Sequence, residues 1–210
     1  MVTEPPPPSF QLVGGAACLD FVNTVDRMLH KPWVENLRSF ADLCAWSEQA
    51  GTLPKAQARA LARRAEERAA RGVLARAHAL REACYCLFLA QAEGRAPAPA
   101  DLAVLNAELG LALRHLCVQP AEPGFALGWE RAAEALDAPL WPVARSAAEL
   151  LTSPEHVHVK RCGSATCLWL FLDQTKNHQR RWCDMKVCGN RAKVRAHRAR
   201  AARRKRRARS

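Results

Sequence analysis

Apolar residues recur at helical spacing through the first 150 positions, and Gly, Pro and polar clusters punctuate them. Gly14-Gly15 marks a turn. Residues 17–25 then read as a first helix, with Leu19, Phe21 and Val22 facing inward. Leu37, Phe40, Leu43, Cys44 and Trp46 trace a second, with Gly51 at the position that favours a left-handed residue after a helix. Pro54 suits the start of an Ala/Arg-rich helix through Arg71, which Gly72 is expected to end. Residues 73–93 form the strongest amphipathic run, through Leu74, Ala77, Leu80, Cys84, Leu87 and Phe88. A loop follows over 94–100. Asp101 is expected to cap a helix bearing Leu102, Leu105, Leu109, Ala112, Leu113 and Leu116. Pro120, Pro123 and Gly124 interrupt apolar runs in 117–129, which predicts a hairpin. A last helix spans about 140–151 and stops at Thr152-Ser153-Pro154. The pattern predicts a mainly α N-terminal domain with a minor β-hairpin over residues 10–154, preceded by a disordered Pro-rich lead-in over 1–9.

The chain has 210 residues, 49% of them hydrophobic, which suffices for a core and excludes wholesale disorder. No run of 18 apolar residues occurs, so a membrane-spanning helix is not expected. Residues 1–8 show neither a basic region nor an apolar one, so no secretory signal is expected. Nine cysteines without an export signal point to reduced thiols or metal ligation in the cytoplasm.

Charge changes the picture. Residues 1–159 carry 15 basic and 18 acidic side chains, whereas residues 160–210 carry 17 basic ones against Asp173 and Asp184. The net charge of +12 thus comes entirely from the last fifty positions. Such an asymmetry points to an end that meets a polyanion, on a mildly acidic body.

The same stretch holds the chemistry. Cys162, Cys167, Cys183 and Cys188 follow the pattern C-x4-C-x15-C-x4-C. Zinc takes four ligands in a tetrahedron, and two short-spaced pairs brought together by a hairpin supply its two edges. Residues 168–172 read as an apolar strand, 173–177 as a turn, and Arg181-Trp182 as the return to the second pair. Gly189 opens a helix. This knuckle, hairpin, knuckle, helix order predicts a small treble-clef-like four-cysteine zinc module over residues 155–200. Four thiolates fill every coordination position, so the expected cofactor is one structural zinc ion without catalytic water. His156, His158, His178 and His197 lie nearby as substitutes, but four cysteines suffice.

Eleven of the last twenty residues are Arg or Lys. A helix over 189–208 would be about 30 Å long, enough to cross a major groove. Arg180, Arg181, Arg191, Lys193, Arg195 and Arg198 are the candidate nucleic-acid contacts, and residues 201–210 form a basic tail. The run lacks a bulky apolar face, which argues against membrane binding. In the body, Cys18, Cys44, Cys84, Cys86 and Cys117 read as buried thiols. Asp20, Asn23, Thr24 and Trp33 read either as a pocket or as caps and packing.

Several stretches carry a family resemblance. Cys162-x4-Cys167, residues 169–173, Arg180-Arg181-Trp182-Cys183-x-Met185 and Cys188-Gly189-Asn190-Arg191-Ala192-Lys193 resemble the CGNR zinc finger. Residues 12–15, 19–24 and 140–147 resemble the ABATE domain that accompanies it. Leu168 stands where a glycine is frequent in that finger, and Gln174-Thr175 replaces a Thr-Ser pair. The family is described as stress-induced bacterial transcription regulators. The resemblance implies that the four cysteines ligate zinc and that the Arg-rich helix contacts DNA.

Together these features predict a zinc-dependent DNA-binding transcription regulator, cytoplasmic and nucleoid-associated. Its N-terminal domain would sense a small-molecule effector or form a homodimer. The alternatives are an RNA- or ribosome-associated zinc protein, in which Trp169 and Trp182 stack on bases, and an enzyme in the N-terminal domain. No nucleophile–base motif, Gly-rich phosphate loop or further metal cluster appears there, so no enzymatic activity is expected.

Overall fold

Local signals set the ends of the helices, and the apolar stripes bring them together. The structure, a computed structural model, describes residues 9–207, so all of the lead-in expected over 1–9 except Ser9, and the last three residues, lie outside it. Ser39 and Asp42 form a reciprocal capping box at the start of α2 (Phe40–Gln49), and Gly51 takes the left-handed conformation just beyond its end. Pro99 opens α5 (Pro99–Leu113) from its first turn. Between them lie α3 (Lys55–Arg64) and the long α4 (Glu67–Ala92). α1 (Ala17–Val22) precedes all of these, and α6 (Trp141–Thr152) follows. α5 packs between α4 and α6, while α1 lies against α6 and α4. Trp46, Trp141, Phe21, Phe88 and Leu80 are fully buried at the centre, with Phe21 edge-on to Trp46 at 5.0 Å. The predicted hairpin is present as β3 (Leu116–Pro120) paired with β4 (Phe125–Trp129).

Leu116 lies in β3 rather than in the helix before it, and Cys86 is exposed rather than buried. Four further expectations need correcting. Gly72 does not end a helix; it lies exposed inside α4. A mid-helix glycine costs only about 1 kcal/mol, and the buried stripe Val73, Ala77, Leu80 and Cys84 carries the helix through. The break falls at Ala65 and Glu66, both extended. Asp101 does not cap α5: the capping position is Ala98, and Asp101 sits in the first turn, where the helix dipole favours a carboxylate. α1 stops at Val22, because Val25 belongs to β1 (Val25–Asp26), which pairs with β2 (Val34–Glu35).

The fourth correction concerns the C-terminal hairpin. The strand expected over 168–172 is β6 (Leu170–Leu172), but its partner is β5 (Val159–Arg161), which precedes the first cysteine. The return through Arg181-Trp182 forms no strand. The cause lies at the other edge of β6, which the body occupies. The Leu172 amide donates to the Gly14 carbonyl at 2.7 Å, and the Asn23 side chain pairs with both backbone groups of Leu170. Val159, Leu170 and Leu172 belong to the body's hydrophobic core. The 155–200 segment is therefore built into the body rather than appended to it. α7 (Asn190–Arg207) follows the second cysteine pair and takes in most of the stretch expected as a tail.

Two buried arginines tie β1 and β2 to α4, and the hydrophobic pattern gave no sign of them. Arg81 makes a two-pronged pair with Glu35 and also reaches the Thr24 hydroxyl at 3.2 Å. Arg27 pairs with Glu82 while its guanidinium lies 4.1 Å from the Tyr85 ring centre.

Candidate metal centre

The first cysteine pair sits in the loop between β5 and β6. Gly163 makes this loop possible: its amide donates to the Arg181 carbonyl at 2.7 Å, and a Cβ there would come within 2.8 Å of that same oxygen. The second pair enters from the opposite side. Asp184 caps a wide helical turn over Met185–Gly189, accepting from the Val187 amide at 3.1 Å, and this turn presents Cys188 and runs straight into α7. Met185 and Trp182 crowd Gly189 so closely that a Cβ would lie 2.5 Å from the Met185 sulfur.

Cys162, Cys167, Cys183 and Cys188 are all buried, and their four sulfurs lie within 4.8 Å of one another. Cys183 is 3.8 Å from Cys167 and 3.7 Å from Cys188, sulfur to sulfur. Four thiolates at about 2.3 Å from a zinc ion stand about 3.8 Å apart, so the cluster has the dimensions of a zinc site. The Cys183 amide points at the Cys162 sulfur at 3.5 Å, and the Ser164 and Trp169 amides support Cys162 and Cys167. Such N–H donors offset the negative charge of a thiolate cluster. Without a cation the four groups cannot ionise together. Hydrogen bonds from Cys167 and Cys183 draw the Cys162 thiol down, while the same contact with Cys162 pushes Cys183 up. His156, His158, His178 and His197 take no part in the cluster; His158 and His178 instead stack on each other at 3.5 Å.

Asp173, just after β6, is a buried hub. Burial pushes its carboxyl up, but hydrogen bonds from Lys160, Thr175 and the Arg180 amide prevail and hold it below the usual carboxylate range. Asp20 has a different balance. Burial pushes it up to about 6, against the hydrogen bond it accepts from the Gly14 amide at 2.7 Å. Asp20, Asn23 and Thr24 are therefore packing and docking groups. Trp33 lies apart from them, half exposed, 5.1 Å from the Arg27 guanidinium.

The six candidate nucleic-acid contacts fall into different places. Arg191, Arg195 and Arg198, spaced along one face of α7, line a groove with Lys186, Thr166 and Asn190. Arg195 also donates to the Ser164 hydroxyl at 3.1 Å, bracing the helix on the first knuckle. Lys186 was missed by sequence reasoning, though its place between Asp184 and Cys188 was a usable signal. Arg181 faces a second hollow with Lys160, Arg161 and His178. Lys193 is exposed but lines neither. Arg180 is committed to the protein: it donates to the carbonyls of Val13, Trp182 and Cys183 and covers the Phe171 ring at 4.4 Å. Trp169 and Trp182 pack against the cysteine cluster, and the Trp169 ring nitrogen donates to the Val25 carbonyl at 3.1 Å.

A helical body carrying a closed four-thiolate centre with a basic helix at its rim is a zinc-finger protein, and the site is that of one structural zinc ion. Residues 15–154 match the family ABATE, described as "Putative stress-induced transcription regulator", and residues 158–201 match the CGNR zinc finger. The chain belongs to the ABATE family, with its finger in the order expected. No curated protein matches the sequence. No helix among the described residues is long and apolar enough to cross a membrane.

Proposed function

We propose that this chain is a zinc-dependent DNA-binding transcription regulator whose N-terminal domain senses a small molecule or forms a homodimer, and that it works without catalysing a reaction. The observation that carries the reading is the groove beside the metal centre. There Lys186, Arg191, Arg195 and Arg198 converge from two elements whose relative position the zinc site sets. Arginine and lysine in a row along a helix match the spacing of backbone phosphates and gain affinity by releasing counterions. Duplex DNA is preferred over RNA because Trp169 and Trp182 are half-buried against the cysteine cluster, with the Trp169 ring nitrogen committed to the Val25 carbonyl, rather than standing out as stacking platforms for unpaired bases.

The test is a titration of a labelled duplex at several salt concentrations, before and after zinc chelation. Each neutralised phosphate contributes a log–log slope of about −0.9, so these four side chains predict a slope of about −3 to −4. Binding should weaken on chelation. Equal binding by zinc-loaded and zinc-free protein, or binding indifferent to salt, would overturn the proposal.

A further inference from the structure

Between the β1–β2 connection and the base of α7 lies a cleft of about 280 Å³. One wall belongs to the body, with Asp26, Met28, Lys31, Pro32 and Val34; the other belongs to the finger, with Trp169, Val187 and Arg191. Cys167, Cys183 and Cys188 form its floor. The volume lies just below the range of about 300–1,000 Å³ for drug-sized ligands, which suits a smaller molecule. Leu29, Trp33 and Val34 are exposed by 43, 55 and 53% along this connection, leaving apolar surface in water beside the opening.

The charges specify what fits. Lys31 and Arg191 have no carboxylate partner among the described residues. Asp26 forms no ion pair there either; its carboxylate accepts a hydrogen bond from the Asn36 side chain. Asp184 is occupied by capping the turn before α7. A simple anion would meet the negative thiolate floor and Asp26. A simple cation would meet Lys31 and Arg191. A molecule bearing both charges satisfies both, with its apolar part against Met28, Pro32 and Trp169.

We infer that this cleft binds a small zwitterion with an apolar side chain, an α-amino acid in chemical class, through Lys31, Arg191 and Asp26. The metal offers it no coordination position, because four thiolates fill the zinc. Arg191 lines both this cleft and the basic groove of α7. A carboxylate that holds Arg191 in the cleft removes it from the phosphate track. Occupancy and DNA binding therefore oppose each other, a second step that rests on the proposed DNA-binding function.

The test begins without DNA. The zinc-loaded full chain is titrated with L-phenylalanine, L-leucine and L-methionine by tryptophan fluorescence and calorimetry. Saturable binding of at least one is expected. The matching acid without the amino group and the amine without the carboxyl should bind at least about tenfold more weakly. Lys31→Glu and Val34→Trp, both at exposed positions, should abolish binding while leaving the zinc content and the unfolding midpoint unchanged. No saturable binding by any of the three amino acids would overturn the site, as would binding that survives both substitutions. Duplex affinity is then measured with and without the bound amino acid, and a weakening of about fivefold or more is expected. An unchanged duplex affinity would overturn the opposition while leaving the site. A chain that binds the amino acid but no duplex would instead overturn the proposed function.

Discussion

The side-chain amide of Asn23 brackets the backbone of Leu170: its Nδ2 donates to the Leu170 carbonyl at 2.8 Å, and its Oδ1 accepts from the Leu170 amide at 3.1 Å. One side chain thus does what a neighbouring strand would do, 147 residues away in sequence. Asn23→Ala leaves two buried backbone groups unpaired, at about 1–3 kcal/mol each. Urea unfolding should show a loss of about 2–5 kcal/mol. A loss under about 0.5 kcal/mol would mean that the bracket is not a significant tie.

Zinc removal should reach beyond the finger. Leu170 and Leu172 belong to the core that also holds Phe21, Trp46 and Trp141. Cys162→Ser or chelation should therefore lower the melting temperature of the whole chain, not of residues 158–201 alone. Hydrogen exchange would show it as faster exchange at residues 12–24 together with 159–172. Exchange confined to the finger would refute this coupling.

Two carboxylates give opposite pH signatures. Asp173 is held below its ordinary value, so its stabilisation is present above about pH 4 and is lost as pH falls further. Asp20 is raised to about 6, so the folded chain holds its proton more tightly than the unfolded chain does. Its contribution to stability therefore declines as pH rises from about 4 towards 6. Asp20→Asn keeps an acceptor for the Gly14 amide and removes the titration. Its melting temperature relative to the natural chain should rise across that interval. A constant difference from pH 4 to 7 would contradict the assignment.

Arginines around the metal centre and along α7 should behave in two distinct ways. Arg191→Ala and Arg198→Ala should each reduce the salt slope of duplex binding by about 1 and leave stability within about 0.5 kcal/mol. Arg180→Ala should cost about 2 kcal/mol or more of stability, because its guanidinium serves three backbone carbonyls, and should not change the salt slope. Denaturation and anisotropy on the same three variants would separate the roles; equal effects would erase the distinction.

What could be read in the sequence was local. The x4 spacing of the cysteines, the turn glycine at Gly51 and the amphipathic stripe of α4 each follow from residues close together in the chain. What escaped was set by partners far away. The turn-like residues at 173–177 made a return strand through Arg181-Trp182 the natural expectation for β6, yet its free edge was filled by Gly14 and Asn23 from the other end of the protein. Arg180 resembled its basic neighbours until Val13 approached to accept from it. Arg27 and Arg81 would ordinarily be placed on the surface; the carboxylates that hold them come from β2 and from α4 itself.

The bracket at Leu170 and the β6 strand it holds also bear on how the basic helix would search for DNA under the proposed function. A finger on a flexible tether samples orientations by itself and aligns after its body has arrived. Here α7 runs straight on from the turn that carries Cys188, and Arg195 ties it to Ser164 in the loop between β5 and β6, so it is anchored at its root. Under the proposed DNA-binding function, alignment of the helix on a duplex would come from rotation of body and finger together. Encounter is then a matter of steering one rigid, lopsidedly charged object. On that proposal, the acidic body would act as a counterweight that turns the basic end toward the phosphates before contact is made.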